Sequence, residues 1–131
     1  MNSNSFNNNK IHPTFDLLET GETCPITGRV FLSHPDWKVE RSHFGSRFEL
    51  FSEQIVVDRV WGAYRAEDAQ SCLPILDSIL ERLPGPIILV EDFTRLASAD
   101  NKARRLYEHG LLQRSEMIRG VVFMGMRPMF R

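Results

Sequence analysis

The sequence predicts an α/β fold: a mixed sheet that starts with a β-hairpin and continues through helical crossovers. Three observations predict it. Two β-rich runs, residues 46–51 and 55–61, flank a short polar turn. Ala69, Cys72, Leu73, Leu76, Ile79, Leu80 and Leu83 then recur at spacings of three and four, one apolar stripe on a helix. Pro84, Gly85 and Pro86 break that helix and introduce a four-residue apolar run, Ile87 to Val90, ahead of a second helix and a last strand.

The 131 residues suffice for one domain with its own core. With 42% hydrophobic and 25% charged residues, the composition is that of a soluble globular chain. A formal net charge of −1 gives no electrostatic case for nucleic acid or an anionic membrane. Cys24 and Cys72 are too few for a disulfide scaffold, so both thiols are expected free in a reducing, cytoplasmic setting. No basic-then-apolar leader and no run of ~20 apolar residues is present, so neither a signal peptide nor a membrane span is expected. Residues 1–13, dominated by Asn and Ser, are expected to form a disordered leader before a single domain over residues 14–131.

Residues 14–36 carry weak patterning: a helical turn over 14–19, a loop around Cys24, Pro25 and Gly28, and a short strand over 29–32. Alternation is also weak after Trp37. From Ser46 it sharpens, with Phe48 and Leu50 on one face and Arg47, Glu49 and Phe51 on the other. Ser52, Glu53 and Gln54 supply the turn. The next strand has Asp58 and Arg59 as its polar members, and Gly62 ends or bulges it. The helix that follows is expected to start near Glu67 and to bend at Pro74, where a hydrogen bond is lost.

Residues 87–90 are apolar on both faces and flanked by breakers, which predicts a strand buried on both sides. Glu91 and Asp92 are expected to end it and to open a short polar loop. Ser98 is the expected cap of a helix over residues 98–110, with Asp100 in its first turn and Gly110 closing it. Ala99, Ala103, Leu106 and Tyr107 share its inner face. The last strand is Ile118 to Met124, and Arg127 onward reads as the first turn of a further helix. Loops at the carboxyl ends of such strands are where open α/β sheets receive ligands and partners, so residues 91–100 are the expected site.

These residues also carry a resemblance. The topology of residues 46–125, with the segment from Leu89 through Glu91, Asp92, Thr94 and Ser98 to Asp100, resembles the STAS fold of bacterial anti-sigma-factor antagonists. Those proteins place an acidic pair, a hydroxyl and an Asp-Ser-Ser-Gly turn at a helix start, and a partner kinase phosphorylates the second serine. In this chain Glu91 and Asp92 fall on the acidic pair, Thr94 on the hydroxyl and Ser98 on the first serine. Ala97, Ala99 and Asp100 replace the Asp, the phosphoacceptor and the Gly, so the phosphorylation switch does not carry over. The wider pattern is similar to STAS-like segments before PAS and histidine-kinase modules. The resemblance implies a non-catalytic interaction domain, the N-terminal module of a bacterial sensor histidine kinase, needing no cofactor.

The partner is expected to be a protein, a neighbouring domain of the same chain or a second copy in a homodimer. Glu91, Asp92, Thr94, Ser98, Asp100, Lys102 and Arg105 are the expected partner-binding residues. Ser98 could accept a phosphoryl group at a helix N-terminus, but Ser is an ordinary capping residue and the cap is the favoured reading. The cluster of Lys102, Arg104 and Arg105 is offset by Glu108 at helical spacing. Glu91 and Asp92 point to opposite strand faces, so only one can line a single site, and one carboxylate makes a poor metal site. His12, His34, His43 and His109 have no paired spacing, and Cys72 lies on an apolar stripe. Two further readings stay open: a small enzyme using Glu91 or Asp92 with a histidine, and a ligand sensor with a cavity around Trp37, Trp61 and Tyr64.

Overall fold

A computed structural model describes residues 18–125. The expected leader and the helical turn from Arg127 lie outside that range. Seven strands and two helices follow in order: β1 (Glu19–Thr23), β2 (Val30–Ser33), β3 (Lys38–Glu40), β4 (Phe44–Ser52), β5 (Ile55–Tyr64), α1 (Ala66–Leu80), β6 (Ile87–Ala99), α2 (Asn101–Gln113) and β7 (Ile118–Met124). They form one mixed sheet in the order β1-β2-β4-β5-β6-β7, with β3 also paired to β4. The β4–β5 hairpin is antiparallel, and β6 is parallel to both β5 and β7. The strand–helix–strand units thus give the expected parallel pairs. The hairpin is preceded by β1 to β3, of which only β2 had a sequence signal.

Both helices pack on one face of the sheet. Their buried residues, Ala69, Cys72, Leu76 and Ile79 from α1 and Ala103, Tyr107 and Leu111 from α2, join Phe48, Leu50, Val56, Val60, Leu89 and Leu96 in one core. α1 runs through Pro74 from a start at Ala66, close to the start expected at Glu67. Its first turn is closed by Asp68, whose carboxylate accepts from the Arg65 amide at 2.9 Å and binds Arg41 and His43. α2 does not close at Gly110. That glycine lies inside the helix, where a Cβ would come within 2.6 Å of Leu73, so it admits α1 at close range.

One-sided helix packing corrects the reading of residues 87–90. Ile87 and Leu89 are fully buried beneath the helices, but Ile88 on the opposite face is 37% exposed. That opposite face is covered in part by β1, which curls over β4. The Glu22 amide there donates to Glu49 Oε1 at 3.4 Å, and a Cβ on Gly21 would meet the Glu49 carboxyl at 2.6 Å.

Candidate functional site

The expected polar loop after residue 90 is not a loop. β6 continues for 13 residues to Ala99, and its pairing with β5 survives two register shifts, at Arg59/Trp61 and Gly62/Ala63. Gly62 supplies the second irregularity with a φ of +90°, a conformation that favours glycine. Neighbouring residues of β6 therefore still point to opposite faces, and the acidic pair is divided between two environments.

Glu91 faces the helices and is fully buried. Its register partner Asp58 is fully buried beside it. The Tyr107 hydroxyl donates to Glu91 Oε2 at 2.6 Å and lies 3.3 Å from Asp58 Oδ2, while Ser46 donates to Asp58 Oδ1 at 2.8 Å. Among the described residues no cation is hydrogen-bonded to the pair. Burial pushes the Glu91 carboxyl well above its ordinary range, and the adjacent Asp58 adds to the shift. Asp58 is likewise raised, chiefly by burial. Two carboxyls in one dry site titrate as a unit, and their burial favours retention of a proton by the pair. Tyr64 and Cys72 border this cluster, and burial raises the titration of both.

Asp92 faces the other way and is 8% exposed. Its Oδ1 accepts from the Thr94 amide at 3.1 Å and the Thr94 hydroxyl at 2.6 Å, and its Oδ2 from Arg59 at 3.1 Å. Burial opposes its charge, but the Thr94 and Arg59 contacts outweigh that and hold the carboxyl below its usual range. Arg59 also binds the buried Glu49 at 3.0 Å and stacks over Phe31 at 4.7 Å. Glu22 bridges Arg59 at 3.7 Å and Arg95 at 3.0 Å. The open sheet face thus carries a continuous ion-pair network.

The expected partner-binding residues separate accordingly. Glu91 is sealed inside the fold and Asp92 presents little surface, because the strand pairs through them instead of ending there. Thr94, Ser98, Asp100, Lys102 and Arg105 are exposed, along the end of β6 and the start of α2. Ser98 is a strand residue paired with Ala63 and does not cap the helix. Asp100 is the cap, its Oδ1 accepting from the Ala103 amide at 2.7 Å. A carboxylate therefore already occupies the helix N-terminus that a phosphoryl group on Ser98 was expected to use.

His12 lies outside the described residues, and the described histidines stay apart. His43 binds Asp68 at 3.0 Å, His34 pairs with Asp36, and His109 is exposed on α2. None contacts Glu91 or Asp92 in the hydrogen bonds of the fold. Nor do Trp37, Trp61 and Tyr64 line one cavity. Trp37 belongs to the core, Trp61 packs under Arg95 on the open face, and Tyr64 lies on the helix side. Among the described residues no group of three His, Cys, Asp or Glu is placed to hold a metal, and no helix is long and apolar enough to cross a membrane.

A mixed sheet with both helices on one face and parallel pairing after an antiparallel hairpin is a STAS-like fold. A solved structure that shares it is the STAS domain of an antisigma-factor antagonist from Rhodobacter sphaeroides, with a TM-score of 0.50 and 18% identity, covering 66% of this chain and 90% of that one. No protein-family model and no curated protein sequence matches the chain.

Proposed function

We propose that this chain is a non-catalytic interaction domain of a bacterial regulator. The observation that carries this reading is the exposure of Thr94, Ser98, Asp100, Lys102 and Arg105 along the end of β6 and the start of α2 of a STAS-like scaffold. The similar solved structure is described as an antisigma-factor antagonist, a role exerted by binding. Here these residues are set on an ordered base: β6 stays paired with β5 as far as Ala99, and Asp100 fixes the first turn of α2. A backbone already held in regular elements has little order left to lose when a partner docks. The proposed partner is a protein, a neighbouring signalling domain of the same polypeptide foremost, and the proposed context is a sensor histidine kinase.

An enzymatic reading has less support. The strongly perturbed carboxyl, Glu91, is shut away from solvent behind Tyr107 and has no histidine partner in the hydrogen-bond network.

The test is to place Lys102→Glu and Arg105→Glu together in the domain and to measure its association with the PAS and kinase modules of the native polypeptide. Loss of at least tenfold in affinity is the expected result. Undiminished association removes this surface, and a native gene without such modules removes the sensor-kinase context.

A further inference from the structure

We propose that the cavity beneath α2 is a binding site for a small, uncharged, single-ring aromatic molecule. This goes beyond the docking surface and does not depend on it. The cavity has a volume of about 110 Å³ and lies between α2 and the ends of β6 and β7. Four aromatic rings wall it in two tilted pairs: Tyr64 with Tyr107 at 5.9 Å and Phe93 with Phe123 at 5.8 Å. Leu96 and Leu111 complete the apolar lining. It opens past Phe123, which is 45% exposed, and Glu108, which is exposed, so a molecule can enter without unfolding the helix.

Size and chemistry choose the ligand. An apolar cavity of about 150 Å³ takes benzene, so this smaller one, open at its rim, has room for at most a single ring and excludes a fused system. Tilted ring pairs offer both faces and edges, the arrangement that another aromatic ring complements. The wall is mostly apolar. The Tyr107 hydroxyl is committed to Glu91, and the Tyr64 hydroxyl, beside the Cys72 thiol, is buried where no hydrogen bond of normal geometry forms. Behind Tyr107 stands the acid pair Asp58 and Glu91, which disfavours an anion. At the rim Arg104 and Glu108 carry opposite charges. A void of this kind is destabilising when empty, and an occupant restores the missing contacts.

The experiment is a titration of the isotope-labelled chain with toluene, read by nuclear magnetic resonance and by melting temperature, with benzoate as the charged control. Saturable shifts confined to Leu96, Leu111, Phe123 and their neighbours, with a melting temperature that climbs with toluene, are expected. Benzoate is expected to bind at least tenfold more weakly. Ala99→Leu, which fills the cavity from its wall, is expected to weaken toluene binding at least tenfold. Leu111→Phe repeats that test from the helix side should the first variant fail to fold. Shifts that do not saturate or that spread over the surface overturn the proposal. Equal binding of benzoate overturns the ligand class, and unchanged toluene binding by a folded filled variant overturns the location.

Discussion

The Tyr107 hydroxyl donates to Glu91 at 2.6 Å, joining α2 to the middle of β6 through a carboxyl with no cation hydrogen-bonded to it among the described residues. This contact is fully buried beside Asp58, where an unmet polar group costs about 1–3 kcal/mol. The other carboxyl oxygen, Oε1, is buried without a hydrogen bond among the described residues. Retaining a proton on the Asp58–Glu91 pair is how the fold tolerates it.

That makes stability fall with pH over a definable window. Below the ordinary carboxyl value of 4.5, Glu91 is protonated both folded and unfolded and imposes no penalty. Above it the unfolded chain releases the proton while the folded chain keeps it, so this group's contribution is lost as pH rises toward its raised folded value. Glu91→Gln keeps an oxygen for Tyr107 and cannot ionise. Urea denaturation at pH 5 and pH 8 should show the variant gaining on the parent as pH rises, by up to about 1.4 kcal/mol per pH unit within the window. A gap that stays constant argues against a retained proton.

Arg59 holds the opposite face together. It is the nearest cation to the fully buried Glu49, at 3.0 Å, with Arg47 at 3.4 Å. Arg59→Met should cost about 3–5 kcal/mol, because it leaves a buried charge poorly compensated. Lysine at this position should recover only part, since it lacks the planar fork that reaches Glu49 and Asp92 together. Adding Glu49→Gln to the Met variant should restore much of the loss, measurable as a coupling energy in denaturant midpoints.

Gly45 and Trp61 are direct cross-strand partners, and the indole lies flat against the glycine backbone. A Cβ on Gly45 would fall 2.1 Å from the Trp61 ring. Gly45→Ala should therefore push the indole off the sheet, costing about 1–3 kcal/mol. Tryptophan fluorescence should shift to the red, because Trp37 remains in the core. An unshifted spectrum contradicts this packing.

The reassigned helix cap separates two neighbouring residues. Asp100→Ala should destabilise the chain by about 0.5–2 kcal/mol. Ser98→Ala, at an exposed strand position, should change stability by no more than about 0.5 kcal/mol. Thermal melts of the two variants check the order, and a larger effect at Ser98 would return the cap to that residue.

Periodicity was enough to read the β4–β5 hairpin and α1, because each buries one face with a repeat of two or of three and four. β6 reads instead from an apolar run between breakers, as a strand buried on both faces. The same alternation put Glu91 and Asp92 on opposite sides. Tertiary structure decided what that meant. Strand pairing with β5 carried β6 through the supposed loop, so an acidic pair that looked like surface became one proton-sharing core group and one ion-pair partner. β1 and β3 had little local signal, since a short strand gains its stability from the sheet it joins. The meeting of Tyr107 with Glu91, and of Arg59 with Glu49, joins residues 16 and 10 positions apart on different elements. Local sequence fixes which face a residue takes, but only the packing of faces decides which polar groups lose water and must find each other.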